Sequence, residues 1–199
     1  MEFADVLRRR HMVRNFEPDP LPLATLERIL DAARRAPSAG NTQGTDLLLL
    51  EGPEQTGRYW DVTLPLPRRR SFRWPGLLQA PVLIVPLASS GAYLRRYAEP
   101  DKAASGLGLA EDRWPVPYWF IDTAMAVMAM LLTATDEGLG ALFFGIFNNE
   151  AELMETFGVP PTHQPIGTLA VGYPAPDKPS RSAARPRRPL DEIVHRGRW

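Results

Sequence analysis

The fold is decided by residues 118–137, whose sequence is YWFIDTAMAVMAMLLTATDE. Apolar side chains run from Ala124 to Leu132 without a break, so the segment predicts a long helix that is apolar on every side. Such a helix has to be buried all round. In a chain of 199 residues this indicates a subunit interface, with a central core helix in a monomer as the alternative.

Shorter elements are predicted on both sides of this helix. Helices are expected over residues 2–10, 23–33, 54–62 and 149–157. A buried strand is expected over residues 46–50, and further strands over residues 81–87, 142–147 and 166–172. Gly138 is expected to cap the long helix, and Asn149 with Glu152 to form a capping box. The order of elements predicts one α+β, or three-layer α/β, domain over residues 1–199.

Three stretches have no clear periodicity. Residues 63–78 are predicted to be irregular, and residues 91–117 to form an inserted loop or helices near the substrate. Residues 174–189 are rich in Pro, Arg and Ser and would be disordered in isolation. The apolar stripe Leu190, Ile193 and Val194 that follows predicts that this tail docks instead.

The composition excludes several classes of protein and site. The chain has no cysteine, which rules out disulfides, thiolate metal sites and cysteine nucleophiles. Its three histidines, His11, His163 and His195, are far apart in the sequence and predict no metal site. The N-terminus has no apolar segment typical of a signal peptide, and the apolar run at 124–132 is too short to span a bilayer, which needs about 20 residues. We therefore expect a soluble cytoplasmic protein that does not bind a membrane.

Two separated arginine clusters stand out against a net charge of zero. The first contains Arg10 and Arg14, and the second contains Arg185 and Arg187 near the C-terminus. Paired N–H donors of arginine match two oxygens of a phosphate, so the clusters predict one shared phosphate site. Nucleic acid is not expected as a partner, because it requires a broad basic face and no nucleic-acid-binding motif accompanies the clusters.

Several short motifs follow one another along the chain. They are RHMVRNF at 10–16, APSAGNTQ at 36–43, EGLGALFFG at 137–145, the strand from Pro165-Ile166 to Gly172-Tyr173-Pro174, and RRPLDEIVH at 187–195. Each motif alone is weak. In this order, and over almost the full chain, they resemble the flavin-dependent nitroreductase family.

The resemblance implies a fold, an assembly and an activity. The family fold is α+β, a three-layer α/β/α domain with a small mixed, mainly antiparallel sheet, assembled as an intertwined homodimer with the flavin at the subunit interface. FMN is implied as cofactor, NADH or NADPH as reductant, and a small electron-poor molecule such as a nitroaromatic or quinone as acceptor. The chain has no separate dinucleotide-binding fingerprint, which is consistent with a nicotinamide that stacks on the flavin.

The resemblance also assigns residues to the phosphate end of FMN. Arg10 and His11 would contact the phosphate and the adjoining ribityl chain, joined by Arg185 and Arg187 from the C-terminal segment. Met12 stands at the same motif, where the family usually has a serine whose hydroxyl meets the phosphate. This departure predicts a weaker phosphate site.

Other residues are assigned to the flavin ring. Arg14 would lie near the pyrimidine edge, and Phe144 and Gly145 against the isoalloxazine. The partner subunit would supply a loop at the ring that contains Pro37, Ser38, Ala39 and Asn41. No catalytic side chain is implied, since solvent can protonate the product.

Two further departures and several alternatives remain open. Gly44-Thr45 stands where the family has Pro-Trp, which predicts a ring pocket of altered shape, and the Lys or Asn that other members carry in the middle third has no counterpart. The aromatic residues of 114–120 are either core or a wall that stacks an acceptor. Alternative functions are a flavin-cleaving or deazaflavin-linked member of the superfamily, a flavin-binding protein without turnover, or an arginine-mediated nucleic-acid or interaction module.

Overall fold

The computed structural model describes residues 1–177 and 180–199. In this part of the chain the α-helices are α1 (Phe3–Arg9), α2 (Leu23–Arg34), α3 (Gly52–Thr63), α4 (Leu66–Arg69), α5 (Ser90–Tyr97), α6 (Tyr118–Asp136) and α7 (Glu150–Thr156). The strands are β1 (Thr45–Glu51), β2 (Val82–Ala88), β3 (Gly140–Phe144), β4 (Gln164–Pro165) and β5 (Thr168–Gly172). All helices and strands predicted from the sequence are therefore present, with shifted boundaries.

The strands form one small sheet in the order β1-β2-β5-β3, and β4 also pairs with β2. Every strand pair is antiparallel, and a single bridge between Met12 and Ala141 is parallel. The central strand β2 is buried along its whole length. The edge strand β1 has only Leu50 fully buried, so the expectation of a buried strand here was wrong for most of its residues.

Helices cover both faces of the sheet and give three layers. Because side chains alternate along a strand, Val82 and Ile84 of β2 pack with α2 and α6, while Leu83 and Val85 pack with α3 and α7. This arrangement confirms the predicted α+β, three-layer α/β/α architecture. The core therefore lies on both sides of β2 and β5.

Helix α6 is the predicted long helix, but it is not buried on every side of a single subunit. One face packs on α2 and the sheet through residues such as Ala126, Val127 and Met130. The opposite face is exposed, with Ile121 and Met128 each 41% accessible. By length and composition alone α6 meets the test for a membrane-spanning helix, a test that the core helix of a soluble protein also meets. Its packed face is part of the core of this fold.

Local chemistry explains the boundary errors. The strand predicted over residues 166–172 begins only at Thr168, after Gly167, whose φ of +146° separates β5 from β4. The strand predicted over residues 142–147 starts at Gly140 and ends at Phe144. Gly138 has a φ of +75° and caps α6 as expected. The capping box at α7 is absent: Asn149 has a φ of +55° instead of the extended backbone of an N-cap, and its side chain makes no capping hydrogen bond but donates from Nδ2 to the Val62 carbonyl oxygen.

The segments without clear periodicity contain short helical turns. Residues predicted to be irregular include α4 and most of a 3₁₀ turn at Pro75–Gln79. Residues 91–117 contain most of α5 and 3₁₀ turns at Ala103–Ser105 and Glu111–Arg113. Of the two forms expected for this segment, a loop or helices, the structure thus has short helices joined by loops.

The C-terminal tail does not dock on the core of its own subunit. Residues 183–199 are all exposed, and Leu190 is 73% accessible. The docking expected from the stripe Leu190, Ile193 and Val194 was therefore wrong within one chain. Two residues of the segment 174–189, at positions 178 and 179, lie outside the described part.

Candidate functional site

The backbone of residues 12–17 joins the edge of the sheet to the segment that follows β5. Val13 N donates to the Ala141 carbonyl oxygen at 3.0 Å, which seats this stretch along the free edge of β3. Further along, Glu17 N donates to the Tyr173 carbonyl oxygen at 2.9 Å, and Phe16 forms an isolated antiparallel β-bridge with Pro174. The N-terminal arginine motif is thereby held beside the chain that leads to the C-terminal arginines.

Asn15 adds side-chain and backbone contacts to this junction. Its Nδ2 donates to the Pro176 carbonyl oxygen at 2.7 Å, and its own carbonyl oxygen accepts from Ala175 N at 3.0 Å. Gly76 lies against Asn15, and a Cβ atom at position 76 would come within 1.5 Å of Asn15 Oδ1. The Asn15 side chain therefore occupies space that is available only because residue 76 is a glycine.

A cavity of about 620 Å³ opens at the junction, and we call it the arginine cavity. Its lining consists of Arg10, His11, Met12, Val13, Arg14, Pro174, Ala175, Asp177, Ser180, Ala183 and Arg187. Within the described residues, the guanidinium groups of Arg10 and Arg187 have no hydrogen-bond or ion-pair partner. Asp177 is the acidic member of the lining, and its Oδ2 accepts from Arg14 N at 2.8 Å. The cavity thus holds cations that are free to meet an anion.

The structure brings most of the predicted phosphate residues together. Arg10, His11, Met12 and Arg187 all line the arginine cavity. They come from opposite ends of the chain and meet because of the junction described above. Arg185 is not part of the lining, so its position within one subunit does not support a phosphate contact.

His11 and Met12 contribute less to the cavity than their positions suggest. His11 Nδ1 donates to the Arg9 carbonyl oxygen at 2.8 Å, so the ring is held at the end of α1. Met12 is half-buried and packs against the core on both faces of the sheet. A methionine at this position therefore strengthens packing, while the cavity lacks the hydroxyl that a serine would add.

A second cavity, of about 290 Å³, adjoins the first, and we call it the aromatic cavity. Arg14 lines both cavities. The remaining lining is mainly apolar and comprises Tyr59, Trp60, Thr63, Leu64, Phe72, Trp74, Leu77, Leu142, Phe143, Phe144, Gly145, Ile146, Phe147 and Asn148. One arginine thus lines both a cationic space and a space suited to a flat apolar ring.

Arg14 is held in place at the boundary between the two cavities. Its guanidinium carbon lies 5.3 Å from the centre of the Trp74 ring, and Nη1 donates to the Met12 carbonyl oxygen at 3.2 Å. The predicted ring residues Phe144 and Gly145 line the same cavity as Arg14. The structure therefore brings these three residues together.

The loop predicted to come from the partner subunit lies elsewhere in its own chain. Pro37 and Ser38 line a third cavity, of about 170 Å³, between α2 and α6. Ala39 and Asn41 belong to the same loop and line none of the three cavities. Within one subunit, the structure does not bring this loop to the arginine or the aromatic cavity.

The loop is fixed in a tight conformation. Gly40, Asn41 and Gln43 have φ angles of +64°, +52° and +54°, in the left-handed region that is unusual for residues with side chains. Ser38 Oγ accepts from Gln43 N at 2.9 Å, which closes the turn. The loop therefore has a defined shape that its own hydrogen bond and backbone conformation set.

Asp122 anchors this loop and was missed from the sequence. It is only 3% accessible, and its Oδ2 accepts from Ala39 N at 2.8 Å and from the Tyr93 hydroxyl at 2.6 Å. Burial, together with the Asp122 carboxylate, raises the pKa of Tyr93. The available signal was a single charged residue inside the mainly apolar stretch 118–132.

Tyr93 also explains the departure at Gly44. A Cβ atom at position 44 would lie 2.6 Å from the Tyr93 ring, so a larger residue does not fit there. Trp114 and Trp119 are buried against Tyr93. Residues 114–120 were predicted to be either core or a wall that stacks an acceptor, and Trp114 and Trp119 belong to the core.

No group of three or more potential metal ligands among His, Cys, Asp and Glu occurs in residues 1–177 and 180–199. The candidate site is the pair of cavities that Arg14 lines, where most of the predicted residues meet.

Comparisons with known proteins place the chain in a family. The sequence profile of the Nitroreductase family matches residues 7–173. A protein of Staphylococcus epidermidis named NADPH-dependent oxidoreductase is 25% identical over 98% of this chain and 73% of its own length. A Staphylococcus aureus protein of the same name is 24% identical over the same shares.

Solved structures agree on the fold. A nitroreductase family protein of Clostridium difficile is 24% identical, with a TM-score of 0.71 over 100% of both chains. Bacillus megaterium NfrA1 is 19% identical, with a TM-score of 0.78 over 100% of this chain and 75% of its own. The chain belongs to the nitroreductase family, and it is an oxidoreductase of that class.

We expect Gly76→Ala to weaken the junction between residues 12–17 and 173–177. The new Cβ would displace Asn15 and should lower the free energy of unfolding by about 1–3 kcal/mol. The control is Gly57→Ala in α3, where a Cβ atom would have nothing within 4 Å. This substitution should raise the free energy of unfolding by about 0.5–1 kcal/mol, because alanine favours a helix over glycine. Urea unfolding measures both. A Gly76→Ala protein as stable as the wild type would show that Asn15 moves aside without cost.

Proposed function

We propose that this protein is an FMN-dependent oxidoreductase that passes hydride from NADH or NADPH, through FMN, to an electron-poor acceptor such as a nitroaromatic or a quinone. One observation carries the proposal. Arg10 and Arg187 line a cavity without partners of their own in the described chain, and Arg14 links that cavity to one lined by aromatic rings. A cationic end beside a flat apolar end matches the two ends of FMN.

The donor set of the arginine cavity fits a phosphate. Arg10 and Arg187 would hold the phosphate oxygens through charge-assisted hydrogen bonds. The Asp177 carboxylate in the same cavity accepts from Arg14 N, which offsets part of its repulsion toward an anion. Met12 supplies no hydroxyl, so the two arginines would carry most of the phosphate contact.

The aromatic cavity fits the ring end. When bound, FMN would supply the two-electron chemistry that carries hydride between nicotinamide and acceptor. Arg14 would place positive charge at the pyrimidine edge, where reduction increases negative charge, and Phe144 with Gly145 would cover the ring. The names of the staphylococcal relatives support NADPH as a reductant.

We further propose that the protein works as a homodimer. The exposed face of α6 carries a stripe at helical spacing, formed by Tyr118, Ile121, Met125 and Met128, with accessibilities of 37%, 41%, 37% and 41%. The apolar residues of the C-terminal tail are also exposed. A partner that covers these surfaces would also supply the loop of residues 37–41, which lies away from the arginine cavity in its own chain. A cytoplasmic location stays a prediction.

The direct test of the function is anaerobic reduction of the purified protein. We expect a yellow protein that releases FMN on heating, loses its flavin absorbance when NADPH or NADH is added, and recovers it when a quinone or nitroaromatic follows. Absorbance at the flavin maximum measures each step. A protein that binds FMN but is reduced by neither nicotinamide would instead be a flavin-binding protein, or a member reduced by a different donor.

The arginine cavity predicts different effects for two neighbouring arginines. Arg187→Ala removes a charge-assisted contact worth about 1.5–3 kcal/mol, so FMN affinity should fall roughly tenfold to a hundredfold. Arg185→Ala is the matched control, because Arg185 does not line the cavity and its loss should leave affinity nearly unchanged. Fluorescence titration of the FMN-free protein measures both. Equal losses in the two variants would contradict this placement of the phosphate.

The two faces of α6 predict different outcomes for adjacent substitutions. Met128→Asp introduces charge on the exposed stripe and should yield a folded 22.2 kDa monomer that retains less FMN. Val127→Asp places a charge at a site only 3% accessible and should unfold the subunit instead. Sedimentation and circular dichroism separate these results. A wild-type protein that sediments as a monomer at micromolar concentration would exclude the dimer.

A further inference from the structure

An arginine-rich segment borders the aromatic cavity. Residues 68–73 have the sequence RRRSFR, in which four of the six residues are arginines. No acidic residue occurs in the sequence between Asp61 and Glu99. Because the whole chain has a net charge of zero, this excess of positive charge is local.

One of the four arginines is neutralised by the fold. Arg69 Nη2 donates to Asp61 Oδ1 at 2.7 Å, which ties the segment to α3. Arg68, Arg70 and Arg73 are exposed, and within residues 1–177 and 180–199 they form no ion pair. Three positive charges on the surface are therefore available to an anion.

Two of these three arginines contact residues that line the aromatic cavity, and we call them the rim arginines. Arg68 Nη1 donates to Asn148 Oδ1 at 3.0 Å. The guanidinium carbon of Arg73 lies 4.9 Å from the centre of the Trp74 ring. Asn148 and Trp74 both line the aromatic cavity. The rim arginines thus place positive charge on the surface immediately beside that cavity.

Both contacts leave N–H donors of the rim arginines unused. A guanidinium carries several N–H donors in one plane, and Arg68 uses one nitrogen, Nη1, on Asn148. The contact of Arg73 with the Trp74 ring uses no N–H in a hydrogen bond to an oxygen. The remaining donors have the geometry that suits phosphate oxygens.

The size of the aromatic cavity determines which part of a nicotinamide dinucleotide reaches this surface. Its volume of about 290 Å³ has room for one ring system, the flavin ring in the proposed function. A nicotinamide stacked on that ring leaves its pyrophosphate and adenosine outside the cavity. NADPH differs from NADH only by a 2′-phosphate on that adenosine ribose, and proteins commonly accommodate this group with arginine.

We propose that Arg68 and Arg73 bind the 2′-phosphate of NADPH and thereby make this protein select NADPH over NADH. The assignment rests on the proposed function and names the residues that choose between its two reductants. The staphylococcal relatives named NADPH-dependent oxidoreductase support this choice.

The position of the rim arginines determines which kinetic constant they affect. The 2′-phosphate lies at the opposite end of the dinucleotide from the hydride, so its contact changes binding and leaves the rate of hydride transfer at saturation nearly the same for both nicotinamides. Since both arginines are exposed, dissolved salt screens them. The preference for NADPH should therefore decrease as ionic strength rises.

Charge-removing variants test the assignment. In FMN-loaded protein, Arg68→Gln and Arg73→Gln should each weaken NADPH binding about threefold to tenfold and NADH binding less than about twofold. Arg68→Lys keeps the charge and should retain most of the preference. Arg95→Gln removes an exposed arginine of α5, away from both cavities, and should change neither affinity. Anaerobic stopped-flow reduction at varied nicotinamide concentration measures all four variants.

A binding experiment without hydride transfer isolates the phosphate contact. Adenosine 2′,5′-bisphosphate and adenosine 5′-monophosphate differ only by the 2′-phosphate, and FMN already fills the arginine cavity in the loaded protein. Calorimetry should show that the wild type prefers the bisphosphate and that Arg68→Gln/Arg73→Gln loses this preference.

The outcomes separate this assignment from the proposed function. A wild type that NADH and NADPH reduce with equal affinity, or a double variant that keeps the preference for the 2′-phosphate, would overturn the role of the rim arginines and leave the proposed function standing. An FMN-loaded wild type that neither nicotinamide reduces would contradict the proposed function, and this assignment with it.

Discussion

The candidate site depends on one junction of the backbone. Residues 12–17 lie along the free edge of β3 and then pair with the segment that follows β5, through Val13, Phe16 and Glu17. These bonds bring Arg10 and Arg14 next to the stretch that carries Arg187. The space needed by Asn15 requires a glycine at position 76, so a residue without a side chain supports the whole arrangement.

Within one subunit, the loop of residues 37–41 lies apart from the arginine and aromatic cavities. The loop of residues 37–41 is held by Asp122 on the α6 side of the sheet, while the arginine and aromatic cavities meet at Arg14. The same helix that anchors this loop exposes an apolar stripe on its other face. One helix would therefore both carry the apolar face of the proposed dimer and anchor the loop that reaches the neighbouring subunit.

Much of the fold could be predicted because local patterns determine it. Helical periodicity located α2 and α6, and the apolar runs located β1 and β2. The sequence did not reveal that α6 has an exposed face, because an apolar helix looks the same whichever side meets the core. The partner of Asp122 and the position of Arg185 outside the cavity depend on tertiary contacts between distant residues, which periodicity does not encode.

We propose that Arg10 and Arg187 together bind the phosphate of FMN. The most direct test compares the affinities of FMN and riboflavin, which differ only by that phosphate, in the wild type and in Arg10→Ala/Arg187→Ala. Calorimetry on the FMN-free protein should show that the preference of the wild type for FMN is lost in the double variant, with riboflavin affinity unchanged. A preserved preference, or an equal fall in both affinities, would contradict the claim.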